Sequence, residues 1–261
     1  MLVAESAADG LRFNNSLTVR FLWMPFAMTD PLRSCVGVLP LYRAEECTGD
    51  VPGSWRRPGT WFVPILSRAA VWVEFMVHPP MASAVKLGLD SLNLLTWTHW
   101  RNQLVGDPQD YMVLSDQPEV SPPNGMPETM TPWLIVGFDR PGSADHRERK
   151  RLELAHLRVR AFQSRPDTYS KRCARWSGKG VVDTAKGECG GASTPLLIKS
   201  DHSPMRPPAD PYGITTWDPS TGCAADIYLV GCLDFRRITG EEPPPPMMVP
   251  GLARDVSSMG E

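Results

Sequence analysis

The segment WFVPILSRAAVWVEFMV, residues 61–77, is the stretch of this chain that says most about its fold. In its second half every other residue is apolar, so that on an extended backbone one face would carry Val71, Val73, Phe75 and Val77. A period of two in β-branched and aromatic residues is typical of a half-buried strand. The first half is another apolar run, separated from the second by Ser67 and Arg68. The segment therefore predicts a β-hairpin.

Composition supports a β-rich globular protein. The chain has 261 residues, of which 42% are hydrophobic, and its 27 prolines are roughly twice the usual share of about 5%. Proline removes a backbone donor and favours short elements joined by rigid turns. Further short strands are predicted at residues 16–23, 84–89, 111–114, 133–138, 195–199 and 225–235. We therefore predict a mainly β (α+β) fold, an antiparallel sandwich or barrel of short strands with one appended helix.

The appended helix is predicted at about residues 145–163. Asp145 is a suitable N-cap. The apolar residues of the segment, set among basic ones, are Leu152, Ala155, Leu157, Val159 and Phe162.

The domain organisation predicted from the sequence has three parts. We expect a flexible N-terminal tail at 1–10, a single β-rich domain at 11–240 and a proline-rich C-terminal tail at 241–261. The C-terminal tail is expected because the four consecutive prolines Pro243–Pro246 favour polyproline II.

Charge and cysteine content exclude several functional classes. The net charge is −2 and the isoelectric point is about 6.2, so nothing global favours binding to nucleic acid or an anionic membrane. No uncharged apolar run approaches the roughly 18–20 residues of a membrane-spanning helix, and the first ten residues lack a basic secretory signal. We expect a cytoplasmic protein with its six cysteines reduced, no metal and no cofactor, because Cys-x-x-Cys pairs and phosphate-binding glycine motifs are absent.

Several short segments occur in an order that resembles a known family. They are residues 37–42 (GVLPLY), 61–75, 84–87 (AVKL) with Asn93, 109–113 (QDYMV), 117–118 (QP), 210–213 (DPYG) with Trp217 and Asp218, and 237–241 (RITGE). In this order they resemble a family of uncharacterised proteins found mainly in bacteria and fungi. The resemblance covers about residues 16–246 and implies one continuous domain, with no known activity to carry over.

Two groups of aromatic and acidic residues are candidate ligand sites. The first comprises Trp97, His99, Trp100, Asp110 and Tyr111. Aromatic faces beside carboxylates suit a sugar or another amphipathic ligand, which stacks on the ring and forms hydrogen bonds at its edge. The alternative is that the tryptophans pack in the core or at its rim and that His99 is a surface residue.

The second group lies in a loop rich in proline and glycine and comprises Tyr212, Trp217 and Asp218. Loops held by a rigid scaffold often carry function. The competing interpretation is structural, because Asp218 precedes Pro219 and that pair commonly opens a turn.

Catalytic and phosphate-binding patterns are weaker. A hydrolase-type site could use Cys189 or Ser193 with His202 and Asp201, although no Gly-x-Ser-x-Gly motif is present. A phosphate-facing stripe could be formed by Arg147, Arg149, Lys150, Arg151, Arg158 and Arg160, the alternative being a solvated helix face.

The leading hypothesis is a binding module without catalysis, whose partner is an unknown small molecule or protein. Alternatives are a hydrolase with a site around Cys189 and His202, and a structural subunit of an assembly. No membrane partner is expected and nucleic acid is not favoured.

Overall fold

The computed structural model describes residues 2–7, 10–25, 37–65, 69–78, 81–115, 131–137, 153–177, 196–197 and 209–247. In chain order its strands are β1 (Leu2–Val3), β2 (Glu5–Ala7), β3 (Gly10–Phe13), β4 (Leu17–Pro25), β5 (Gly37–Val38), β6 (Tyr42–Arg43), β7 (Thr60–Ile65), β8 (Ala69–Val77), β9 (Ser83–Leu89), β10 (Leu92–Asn93), β11 (Met112–Leu114), β12 (Thr131–Gly137), β13 (Glu153–Gln163), β14 (Leu196–Leu197) and β15 (Cys223–Gly231). The helices of the described residues are α1 (Pro166–Ser177) and α2 (Cys232–Thr239).

The strands form two sheets, which confirms the predicted mainly β fold in its sandwich form. The first sheet has the order β10-β9-β13-β15-β7-β6, with β1 beside β15 and β11 beside β9. The second has the order β14-β12-β8-β4-β3-β2, with β5 beside β4. Most pairings are antiparallel, but β7 and β1 run parallel to β15, and β14 runs parallel to β12.

The predicted hairpin at residues 61–77 is wrong, although both of its strands are present. β7 pairs with β15 and β6 in the first sheet, whereas β8 pairs with β4 and β12 in the second. Each strand presents one apolar face to the same core, the residues being Trp61, Val63, Ile65, Val71, Val73 and Phe75. Two consecutive strands can share a core either side by side or face to face, and alternation does not distinguish the two arrangements.

The predicted helix at 145–163 is also wrong where the structure describes it. Residues 153–163 form β13, a central strand hydrogen-bonded to both β9 and β15; residues 145–152 lie outside the described residues. Ala155, Leu157, Val159 and Ala161 face the core at a strict spacing of two. Polar residues between them, His156, Arg158 and Arg160, occupy the opposite face. This period of two belongs to a strand, and the high charge of the outer face obscured it.

Other boundaries differ at the ends of the domain. Residues 2–7, expected to be a flexible tail, form β1 and β2, which pair with β15 and β3. The strand predicted at 225–235 ends at Gly231, and α2 follows directly, closed by Gly240 in the left-handed conformation (φ 78°). After the proline run, Met247 forms an antiparallel bridge with Val38.

Two apolar clusters cover the outer face of the first sheet, one toward each end of its strands. The first lies under α2 and residues 44–55 and contains Ala44, Val51, Trp55, Phe62, Tyr228, Val230, Phe235 and Ile238. The second lies under α1 and residues 209–221 and contains Ala82, Ala84, Tyr111, Val113, Phe162, Tyr169, Tyr212 and Trp217. Between the two clusters the same face carries charged side chains. Neither described helix has the length and apolar character needed to cross a membrane.

Candidate functional site

A band of charged residues crosses the outer face of the first sheet between the two apolar clusters. In register, Arg160 of β13 lies between Lys86 of β9 and Ala224 of β15, and Arg158 lies between Gly88 and Asp226. At the next position of β13 on the same face, His156 lies opposite Tyr228 of β15. We call this set, together with Arg57 and Asp110, the charged band. It contains three arginines, one lysine, one histidine and two aspartates.

Asp226 is the acceptor for one half of the charged band. Its Oδ1 is 2.8 Å from His156 Nε2, its Oδ2 accepts from Arg57 NH2 at 2.9 Å, and Arg158 Nε lies 3.6 Å from Oδ1. Burial alone would raise the pKa of Asp226, but the hydrogen bond from His156 and the nearby positive charges outweigh it and hold this pKa below its usual value. Asp226 is therefore a carboxylate at neutral pH.

An aromatic stack fixes the imidazole of this group. His156 stacks on Tyr228 at a centroid distance of 4.2 Å, and Tyr228 stacks on Trp55 at 4.1 Å. Stacking holds the ring in one orientation, with Nε2 toward Asp226. The geometry places this end of the band on a rigid support.

Lys86 and Asp110 form the other half of the charged band. Lys86 is 0% exposed, and its Nζ donates to the Asp110 carboxylate and to the carbonyl of Gln103. Burial lowers the pKa of Lys86, and the interaction with Asp110 opposes that shift. The loop carrying Asp110 is held by Asn93, whose Nδ2 donates to the Asp110 carbonyl at 2.8 Å. Asp110 is therefore a structural counter-ion for a buried ammonium.

Two arginine side chains in the middle of the charged band are incompletely paired. The Nε atoms of Arg158 and Arg160 are shielded from solvent and have no hydrogen-bond partner among the described residues. Arg160 has no carboxylate within ion-pair distance in the described part of the chain, and its guanidinium lies 5.4 Å from the Phe162 ring centre. Burial lowers the pKa of Arg160. These desolvated cations favour a nearby negative charge.

The structure disperses the first predicted aromatic group. Trp97 packs against the core between the sheets, whereas Trp100 lies on the outer face, against Gly88 and 5.5 Å from Lys86 Nζ. His99 is exposed, and Leu92 forms a bridge with it. Of the predicted group, only Trp100 and Asp110 lie at the charged band.

Tyr111 instead joins the second predicted group around a residue that sequence reasoning missed, Asp210. Asp210 Oδ2 accepts from Tyr111 Oη at 2.7 Å and from Trp217 Nε1 at 2.9 Å, while Oδ1 accepts from the Tyr212 amide. Tyr111, Tyr212 and Trp217 are 1%, 2% and 1% exposed. Burial and the Asp210 carboxylate raise the pKa of Tyr111. The arrangement anchors residues 209–221 to the sheet and leaves little of these rings for a ligand.

Asp218 occupies a capping position. Its Oδ1 accepts from the Ser220 amide at 2.9 Å and from the Ser220 hydroxyl at 2.7 Å, at the start of a 3-10 turn over Pro219–Thr221. These hydrogen bonds lower the pKa of Asp218. The geometry agrees with the structural alternative, in which Asp218 and Pro219 open a turn.

The hydrolase hypothesis falls on residues that the structure does not describe. Cys189, Ser193, Asp201 and His202 all lie within 178–208, of which only 196–197 are described. The described side chains contain no group of three or more His, Cys, Asp or Glu suited to a metal ion. Cys47, Cys223 and Cys232, the cysteines whose side chains are described, are free thiols.

Of the charged-band residues on β13, only His156 was missed as a functional candidate, because Arg158 and Arg160 were already named in a possible phosphate-facing stripe. His156, Arg158 and Arg160 follow one another at a spacing of two, which places them on one face of a strand. Sequence reasoning included Arg158 and Arg160 in a helical basic stripe and therefore gave them the wrong neighbours. Nothing in the sequence marked Asp226 as a functional candidate, because its partners Arg57, His156 and Arg158 are far from it along the chain and only the fold brings them together.

Comparison with known proteins adds no further identification: no family model matches the chain, and no curated protein or solved structure is significantly similar to it. The resemblance to an uncharacterised family of bacteria and fungi therefore stays a prediction.

Proposed function

We propose that this protein is a binding module for a small phosphate-bearing ligand, held at the charged band by Arg158 and Arg160. The observation that carries the proposal is the surplus of cations on this face: Arg158 shares Asp226 with Arg57, and Arg160 has no carboxylate within ion-pair distance in the described part of the chain. Both arginine side chains are partly exposed. An anion that accepts hydrogen bonds from their guanidinium groups would balance this charge.

The spacing of the two arginines suits a ligand with several acceptor oxygens. Residues two apart on a strand are separated by about 7 Å. Each guanidinium offers a planar fork of donors, which matches the oxygens of a phosphate group. A diphosphate therefore fits the pair better than a single small anion does.

The remaining charges and the neighbouring ring support this choice. Lys86 lies beside Arg160 and is paired with Asp110, so Asp110 is not available to neutralise Arg160. Asp226 is shared between Arg57 and Arg158, and Arg160 has no carboxylate partner among the described residues, so the band keeps an excess of positive charge. Trp100 lies against Gly88, next to Arg158, and supplies a partly exposed aromatic flank. Because most of these groups are on strands, the site is preorganised.

The proposal is tested by titrating the whole chain with inorganic pyrophosphate in a calorimeter. We expect saturable binding that weakens as sodium chloride is raised, since the contact is between charges. Replacement Arg160→Gln removes one charge-assisted contact of about 1.5–3 kcal/mol, so the dissociation constant should rise by about tenfold or more.

Arg12→Gln is the matched control, because Arg12 is an exposed arginine of β3 in the second sheet and leaves the band intact. Its affinity for pyrophosphate should equal that of the original chain. The absence of saturable heat, or equal affinity in Arg160→Gln and the original chain, would contradict the proposal. A melting curve of each variant establishes that it is folded.

A further inference from the structure

Most of the aromatic rings beside the charged band are buried and offer little surface to a ligand. The rings that are at most 8% exposed are those of Trp55, Phe62, His156, Phe162 and Tyr228. Trp100 differs, because it lies on the same face of the sheet and is partly exposed. A ligand held at the charged band can therefore reach an aromatic surface at Trp100.

The Trp100 ring approaches the sheet closely because residue 88 is a glycine. A Cβ atom on Gly88 would lie 2.7 Å from Trp100 Cε3 and 3.2 Å from Arg158 Cβ, and the first distance is well inside the contact distance of two carbon atoms. Gly88 and Arg158 are direct partners in the pairing of β9 with β13. The ring therefore lies beside the side chain of Arg158.

Hydrogen bonds hold Trp100 in this position. Its backbone N–H donates to the carbonyl of Ser91 at 2.8 Å, and its indole N–H donates to Asn102 Oδ1 at 3.1 Å. The buried ammonium of Lys86, already paired with Asp110, lies 5.5 Å from the ring centre. A ring that is fixed before binding loses little conformational entropy when a ligand contacts it.

Trp100 and the two arginines lie in sequence across the outer face of the sheet. Arg158 is opposite Gly88, which Trp100 covers, and Arg160 is two residues further along β13. Neighbouring strands are about 4.8 Å apart, and alternate residues of one strand are separated by about 7 Å. A ligand that contacts both arginines therefore has one end beside Trp100.

We propose that the ligand of the charged band is a nucleoside diphosphate, an inference that rests on the phosphate site at Arg158 and Arg160. The two arginines hold the diphosphate, and the base stacks on the exposed surface of Trp100. Stacking between a base and an aromatic side chain tolerates any base, since every base has a π-face. Trp100 therefore selects a nucleoside diphosphate over bare pyrophosphate and does not select among bases.

The proposal is tested by calorimetric titration of the original chain and of Trp100→Leu with adenosine diphosphate and, separately, with pyrophosphate. Leucine keeps an apolar side chain at this position but removes the ring. We expect the dissociation constant for adenosine diphosphate to rise by about tenfold in Trp100→Leu, through the loss of one stacked base. The dissociation constant for pyrophosphate should change by less than about twofold, because Trp100 does not contact the phosphates.

Two further variants complete the comparison. Trp100→Phe retains an aromatic ring and should bind adenosine diphosphate more tightly than Trp100→Leu does. Leu233→Ala removes a 73% exposed apolar side chain of α2, outside the charged band, and should leave both dissociation constants unchanged.

The outcomes separate this inference from the phosphate site on which it rests. Saturable pyrophosphate binding, with equal affinity for adenosine diphosphate in the original chain and in Trp100→Leu, would overturn the nucleoside and leave the phosphate site standing. The absence of saturable binding by either ligand would overturn both.

Discussion

At the scale of single residues, the chemistry of this protein depends on which strand face a side chain occupies. Tyr111, Tyr212 and Trp217 are chemically suited to ligand binding, but their rings are buried and their polar atoms are hydrogen-bonded. Arg158 and Arg160 look like ordinary surface residues in the sequence, yet they lie half-buried with unsatisfied Nε atoms. Residue type alone could not separate these cases, because burial and partners are set by the fold.

Asp226 gives a pH-dependent prediction at this scale. Its pKa is held below the usual value in the folded protein. The stabilisation is therefore complete above the unfolded pKa of about 3.9, and it is lost as the pH falls through the lower, folded pKa. Asp226→Asn should reduce the free energy of unfolding by about 1–3 kcal/mol at pH 7. The difference should shrink steadily below about pH 4.

Urea denaturation of both proteins at several pH values measures this difference. Asp50→Asn is the control, since the Asp50 side chain is 75% exposed and its replacement should change stability by no more than about 0.5 kcal/mol. A difference between the original chain and Asp226→Asn that stayed constant down to pH 3 would show that Asp226 does not act through its charge.

At the scale of elements, β13 connects the core to the candidate site. Its inner face carries Leu157 and Val159, and its outer face carries His156, Arg158 and Arg160. In a helix, Leu157 would lie about 200° around the axis from both Ala155 and Val159 and could not share their buried face. Stability measurements can therefore distinguish the two conformations.

We predict that Leu157→Ala lowers the free energy of unfolding by about 2–5 kcal/mol, because it removes methyl groups from a packed core. Arg158→Ala, at the adjacent position on the other face, should cost less than about 1 kcal/mol. Chemical denaturation of the two variants provides the comparison. Equal and small effects would contradict the assignment of residues 153–163 to a central strand.

The elements that sequence reasoning placed correctly are those whose pattern is unambiguous. The strands at 17–25, 83–89 and 131–137 agree with the predicted runs within a few residues. β13 was misassigned because its high content of charged residues obscured the spacing of two in its apolar residues. α1 and α2 were missed, although Pro166 with Asp167 and the αL residue Gly240 are usual helix-end signals. Both helices are short, and each is stabilised by packing on the sheet, which local sequence does not report.

At the scale of the whole molecule, the two sheets share one core, and the first sheet alone carries the charged band. The band exists because β9, β13 and β15 are neighbours, although they are far apart in the sequence. Its partners Arg57 and Asp110 come from loops at two different edges of these strands. β7 and β8 lie in different sheets and do not pair with each other. β7 pairs instead with β15, which also pairs with β13, and the charged band depends on this strand order.

The most direct test of this account is a set of backbone nuclear Overhauser contacts in the intact chain. Neighbouring strands are about 4.8 Å apart, whereas packed sheets are about 10 Å apart, beyond the reach of backbone contacts. We predict backbone contacts between the neighbourhoods of Phe62 and Tyr228 and between those of Val73 and Phe21. Backbone contacts between Val63 and Val71 instead would show that residues 61–77 form a hairpin, and would contradict both the sandwich and the charged band built on it.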